Sequence, residues 1–371
     1  METLFQEKKE SLRLLKPIGK LMSRVNQVVY LLLQIGIIIS VFSCQSPREE
    51  EITSSPTGWK VFETPIEASL RGLSPVSENI VWASGSRGTW LKTLDGGESW
   101  ESGIVAGLDS VDFRSIYAFD EEQAIVVAAG QPAHIYKTMD GGKTWELKLE
   151  ASSDAFFDGI SFVDESRGYV FGDPVDGFWM IYETTDKGDT WNLLDSLPAA
   201  EVGEAGFAAS ASSMLASGEE LWLGSGGSYS FLHYSPDRGK TWLRHPTPLI
   251  QGESSQGVFS LCKMKEELVL AGGDYLMPDV NKGNWGIFSI TQKEWMDTST
   301  SSPGGYRSGV TFWVKGNYLI AVGPSGSDFS ENEGGIWKTF SEEGFHAVSA
   351  SRSGQTVWAS GSGGRVAKLL F

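Results

Sequence analysis

Thr138-Met139-Asp140-Gly141-Gly142-Lys143-Thr144-Trp145 is one copy of a pattern that decides the fold. Three others keep every spacing: Thr93-Leu94-Asp95-Gly96-Gly97-Glu98-Ser99-Trp100, Thr184-Thr185-Asp186-Lys187-Gly188-Asp189-Thr190-Trp191 and Ser235-Pro236-Asp237-Arg238-Gly239-Lys240-Thr241-Trp242. Each reads Ser/Thr-x-Asp-x-Gly-x-Ser/Thr-Trp. A fifth copy, Ser330 to Trp337, has Asn332 in place of the aspartate, and a sixth survives only as Trp295. The chemistry is that of a hairpin turn. A short carboxylate accepts hydrogen bonds from turn amides and from the next hydroxyl, and a glycine supplies positive φ. The tryptophan then opens a strand and can wedge a large apolar surface between neighbouring units. Asp95, Asp140, Asp186, Asp237 and Asn332 therefore read as structural residues, one per unit, rather than catalytic acids.

Working outward, the tryptophans from Trp100 to Trp337 are spaced 45, 46, 51, 53 and 42 residues apart, the length of one four-stranded propeller blade. The first unit places its strands around Leu70 to Val76, Ile80 to Gly85, Trp90 to Thr93 and from Trp100 onward. The same frame predicts blades near 68–107, 112–152, 155–199, 204–250, 255–301 and 304–343. The ends supply one more. Val357-Trp358-Ala359-Ser360-Gly361-Ser362 repeats Val81-Trp82-Ala83-Ser84-Gly85-Ser86 almost letter for letter, so it is the second strand of a further blade. The chain stops after that blade's third strand, and Gly58-Trp59-Lys60-Val61-Phe62 offers the missing fourth. Pairing the two ends closes the ring and leaves no frayed edge. The reading is all-β: a seven-bladed propeller over residues 58–371, expected to be a monomer.

The N-terminus reads as targeting rather than fold. Val28 to Val41 is an apolar run of signal-peptide length preceded by Arg24, and Val41-Phe42-Ser43-Cys44 resembles the lipobox of bacterial lipoproteins. Met22 is the better start codon. Residues 1–44 are thus a signal peptide ending on a lipidated Cys44, and residues 45–57 (QSPREEEITSSPT) are a flexible tether. The expected location is an envelope membrane, the outer one by the acidic run that follows Cys44. Past residue 43 the chain carries 24 Lys/Arg and 44 Asp/Glu, so its surface repels nucleic acid. Cys262 is the one other cysteine, which leaves no disulfide framework. The four histidines lack metal-ligand spacing, and there is no dinucleotide fingerprint or Gly-x-Ser-x-Gly elbow. No metal and no cofactor is expected.

In a propeller the innermost strands line a channel, and one face collects the loops that enter those strands. Aligning the blades puts Arg71, Arg114, Asp158, Ala208, Gly257, Arg307 and His346 at one level of that mouth. Three arginines there, in an acidic protein, form a candidate site for a carboxylate or phosphate. Their alternative use is ion pairing with Asp158 or with the loop acids Asp173, Asp176, Asp274 and Asp279. Exposed Tyr275, Leu276 and Met277 are further candidates for partner contact.

Residues 58–371 resemble the photosystem II stability/assembly-factor-like propellers, and the repeat matches the Asp-box, or BNR, motif. More distantly the chain looks like sialidase and sortilin-type propellers. The first resemblance implies a seven-bladed ring closed between its ends and a non-catalytic binding or assembly role, with an envelope protein or an anionic small ligand as partner. The sialidase resemblance implies an alternative, a glycoside hydrolase with Asp158 as acid and Tyr306 as nucleophile. Against it stand the seven blades, a missing Phe-Arg-Ile-Pro segment, and the opposite facing of adjacent Tyr306 and Arg307.

Overall fold

Seven antiparallel sheets, each built on a four-stranded meander, follow one another along the chain in a computed structural model that describes residues 55–298 and 300–371. No helix occurs among the described residues. The first blade comprises Leu70–Pro75, Val81–Gly85, Thr89–Thr93 and Glu101–Ile104, within a residue or two of the spacing-based reading. The last comprises Ala347–Ala350, Val357–Ser360, Val366–Leu370 and, from the other end of the chain, Gly58–Phe62. Trp59 pairs with Leu369 and Phe62 with Val366, so the ring is closed as the sequence required. The pairing begins slightly early: Thr57 N–H donates to Leu370 O at 2.9 Å and Pro56 is buried. Cys44, Met22 and the signal peptide lie outside the described residues.

The repeated turns make the bonds their chemistry calls for. Asp140 Oδ1 accepts from Thr144 N at 2.9 Å and Oδ2 from Thr144 Oγ1 at 2.6 Å, while Thr138 Oγ1 donates to the same carboxylate and accepts from Gly142 N. Asp95, Asp186 and Asp237 repeat the set, and Asn332 keeps the bond from Ile336 N at 2.7 Å. These donors favour the ionised form. Those of Ser99 hold the Asp95 carboxyl down at about 2, and those of Thr144 do the same for Asp140. Because the folded carboxylates titrate lower than unfolded ones, they stabilise the fold above about pH 4 and lose that contribution as pH falls through about 2. Urea unfolding across this acid range should therefore show a steeper loss of stability in the wild type than in Asp95→Asn/Asp140→Asn. Equal slopes would mean that the carboxylates owe their role to something other than charge.

The tryptophans behind the turns lie against the preceding blade. Trp100 meets Trp358 edge-on at 6.4 Å, Trp191 shares a core cluster with Ile125 and Ile135, and Trp337 meets Trp285 at 5.4 Å. Trp59 does the same across the closure, against Phe340 and Phe345, and donates from Nε1 to Ser327 Oγ at 3.0 Å. Between the blades sit wholly buried second-strand tryptophans, Trp82, Trp222 and Trp358. Interblade burial of this kind is the main cohesive contribution of the ring.

One departure from regularity matters for function. The fifth sheet has six strands because Glu204–Ala205 and Gly226–Gly227 add to the edge of its innermost strand, Gln256–Met264. The added segment is fastened from below: Glu204 Oε1 accepts from Ser225 Oγ and lies 2.5 Å from His233 Nε2, all three buried. His233 is thus a satisfied interior residue. The fourth blade's inner strand starts only at Met214, which leaves residues 206–213 free to cross the channel mouth.

Candidate functional site

A bulge at the entry of several inner strands builds the site. Pairing slips by one residue between Leu70 and Gly72, Phe113 and Ser115, Phe157 and Gly159, and Val258 and Ser260. The residues skipped are Arg71, Arg114, Asp158 and Phe259. A bulged residue is released from the ladder and its side chain is re-aimed, here into the channel mouth. Close backbone approach is needed there. A Cβ on Gly172 would stand 2.0 Å from Phe156 O, so glycine is required where the strand-entry loop folds over.

These residues line a cavity of about 520 Å³ together with Asp173, Phe207, Ala208, Tyr275, Tyr306, Ser308 and His346. Its two halves differ in chemistry. Blades seven, one, two and three contribute His346, Arg71, Arg114 and Asp158. The opposite side is aromatic: Phe207 stacks on Phe259 at 3.8 Å, and Tyr306 meets Phe259 edge-on at 4.7 Å.

Arg307 is not in the cavity, contrary to the sequence alignment. The sixth blade enters its inner strand without a bulge, and Gly309 pairs with Val322. Ser308 therefore occupies the level of Arg71, and Arg307, one residue earlier, faces the other way. It is 1% exposed and donates from Nε to Asp328 Oδ2 at 2.6 Å and from Nη1 to Tyr306 O and Ser325 Oγ. Gly257 is corrected likewise, since Phe259 holds that level. Ala208 does line the cavity, but from the crossing segment rather than from a strand.

The two remaining arginines are not equivalent. Arg114 Nε donates to Asp112 Oδ2 at 2.8 Å, a partner on its own strand's entry and none of the acids expected from sequence. Arg71 makes no ion pair among the described residues and donates one hydrogen bond there, from Nη1 to Ala209 O at 3.2 Å. Burial first, and then the charge of Arg114, lower its pKa, against the smaller pull of Tyr306 and Asp112. His346 Nε2 lies 3.2 Å from Ser69 Oγ and 2.9 Å from Ser362 Oγ. Burial first, then Arg71, Arg365 and Arg114, depress its pKa to about 4, so the imidazole is neutral at physiological pH. The Tyr306 phenol is pushed up by burial, the wrong direction for a nucleophile. With Arg307 withdrawn as well, the arginine triad of a sialidase-like site is not assembled. The arrangement is suited to holding an anionic group beside an aromatic wall.

Residues 51–153 match the family model described as Photosynthesis system II assembly factor YCF48. The ring superposes on the structure titled YCF48 bound to D1 peptide with a TM-score of 0.62 at 18% identity, covering 86% of this chain and 99% of that one. The chain is a seven-bladed propeller that resembles the photosystem II assembly factors. YCF48 from Cyanidioschyzon merolae superposes with a TM-score of 0.60, again at 18% identity, over 84% of this chain and 98% of that one. The fold is also shared with an enzyme. A GH74 xyloglucanase from Xanthomonas campestris superposes at 0.56 and 13% identity, over 84% of this chain and 53% of that one. No curated protein matches the sequence at a significant level. Since one ring serves binders and hydrolases alike, the function of this assembly-factor-like propeller has to be argued from its pocket.

Inspection of the sequence did not find Phe207 and Phe259. The usable signal was the small-residue end of each second strand, Ser84-Gly85 in the first blade and Ala271-Gly272 in the fifth. Aligning on the paired hairpins instead of the entry loops brings Phe259 to the level of Arg71.

Proposed function

We propose that this assembly-factor-like propeller is an exported binding or assembly scaffold that holds a segment of an envelope protein in its channel-mouth cavity. A lipid on Cys44 keeps it on a bacterial envelope membrane, the outer one by the acidic residues that follow. One observation carries the reading: Arg71, a cation without an ion-pair partner among the described residues, faces a cavity of about 520 Å³ whose far wall is aromatic. Cavities of several hundred Å³ with few convergent polar groups are typical ligand sites. A solved relative of the same shape is described as bound to a peptide, which favours a protein segment over a small anion. Leu276 and Met277, 71% and 57% accessible, directly follow the cavity-lining Tyr275 in sequence.

The test is a photo-cross-linking amino acid placed at Leu276 in the native envelope. A discrete protein adduct is expected, falling at least about tenfold in Arg71→Glu, because a lost charge-assisted bond becomes a repulsion. Arg238→Glu, in an exposed turn on the opposite face, should leave the adduct unchanged. An adduct indifferent to Arg71→Glu would overturn the reading, and an adduct only with added small carboxylates would reassign the site to an anionic small ligand. In the same cells, Cys44→Ser should release the protein from the membrane fraction.

A further inference from the structure

The binding of an anion at Arg71 leaves the floor of the cavity unexplained. Asp158 is 1% exposed, and neither of its carboxyl oxygens has a hydrogen-bond partner among the described residues. Leaving such a group unsatisfied in the interior is costly, and native proteins rarely do it without a use. The neighbours do not fill the gap. Asp173 spends Oδ1 on Gly206 N at 2.8 Å, and Gly206 lies so close above Asp158 that a Cβ there would be 2.4 Å from Oδ2. Only glycine thus fits at 206, where it packs against the buried carboxyl.

The protonation state follows from the surroundings. Burial first, and then the charge of Asp173, push the Asp158 carboxyl well up, against the smaller pull of Arg114. These surroundings favour the protonated form, which offers one O–H donor beside one C=O acceptor. An amide presents the complementary pair, a C=O acceptor and an N–H donor. A cationic ligand would instead have to enter beside Arg71 and Arg114. Across the cavity, Phe207, Phe259 and Tyr306 form a cluster of their own at the mouth, with Tyr275 edge-on to Phe259 at 6.2 Å and 45% exposed. The exposed Tyr275 ring therefore offers one more ring an edge-to-face or stacked partner from solvent.

We infer that the cavity recognises an aromatic side chain together with the amide group beside it, the ring against Phe207, Phe259, Tyr275 and Tyr306 and the amide on Asp158. This rests on the peptide-binding reading and specifies what the bound segment must contain.

The test is calorimetric titration of the full chain in detergent, with N-acetyl-L-phenylalaninamide as the probe carrying ring and amide. Two fragments separate the parts: 2-phenylethanol keeps the ring and N-acetylglycinamide keeps the amides. The complete probe should bind the wild type at millimolar concentration and about tenfold more weakly to Asp158→Ala, two neutral hydrogen bonds being at stake. Asp158→Asn retains a donor and an acceptor and should stay within about threefold of the wild type. 2-Phenylethanol should not distinguish the variants, and N-acetylglycinamide should bind more weakly than the complete probe. Raising the pH should weaken the probe with the wild type, as the O–H is lost, and not with Asp158→Asn. If Asp158→Ala does not fold, that contrast in pH profile decides. The inference is overturned if the wild type fails to bind the probe at about 10 mM, or if Asp158→Ala binds it equally. Its failure is distinct from that of the envelope-partner reading. An Arg71-dependent adduct together with an indifferent Asp158→Ala removes this inference alone, whereas Asp158-dependent probe binding with an Arg71-independent adduct removes the other.

Discussion

Deleting residues 45–66 is expected to yield an aggregated or largely unfolded protein, whereas deleting residues 45–54 should leave the melting temperature unchanged. The longer deletion removes the strand Gly58–Phe62 and exposes the whole edge of Val366–Leu370, a ready template for intermolecular pairing. It also strips two packing contacts, one between blades and one within the last blade. Trp59 is lost from Phe340, Phe345 and Ser327, and Phe62 from its stack on Trp358 at 5.4 Å. Gly97 was shaped to receive that ring, since a Cβ there would lie 2.6 Å from Phe62. A circular permutant joining Phe371 to Gly58 through a short linker, with new ends in an exposed loop, should fold, because it preserves every pair. Differential scanning calorimetry of the three proteins checks the account. Equal melting temperatures for the two truncations would show that the N-terminal strand contributes nothing to closure.

Trp358→Ala is expected to cost about 3–5 kcal/mol, the range for removing a large buried aromatic. Trp358 is fully buried, stacked under Phe62 and edge-on to Trp100, so its loss empties the seam where the chain ends meet. The tryptophan of an intact repeat is a weaker point than its recurrence suggests. Trp145 is only part-buried, with Nε1 bonded to Gly142 O at 3.1 Å, so Trp145→Ala should fall below that range. Denaturant titration of both variants gives the comparison. A larger loss for Trp145→Ala would place the cohesion of the ring at the turns rather than between the second strands. Asp140→Ala, which removes turn bonds at the surface without opening a cavity, should be milder than either.

Much of this molecule is local chemistry and was therefore legible. The bonds that the Asp carboxylate accepts from the first and the second Ser/Thr span two and four residues, so the turn follows from a short string whatever lies around it. Blade number and closure were legible for a different reason. Val81 to Ser86 and Val357 to Ser362 are near-copies, and a ring has one way of placing equivalent strands. Arg71, Arg114, Asp158 and His346 were found because their strand entries are near in sequence to the repeat that frames them. What only the tertiary structure decided was register at the channel mouth. A slip of one residue turns a strand's side chains to the opposite face, and whether a slip occurs depends on the partner strand and the loop packed over it. Four inner strands bulge at this level and the sixth does not. That difference buries Arg307 on Asp328 and brings Phe259 into the cavity in place of Gly257, so that Arg71 and Arg114 are the arginines lining it. The aromatic wall depends equally on a long-range event, the addition of Glu204–Ala205 and Gly226–Gly227 to the fifth blade, which carries Phe207 to a position that no periodicity in the sequence marks.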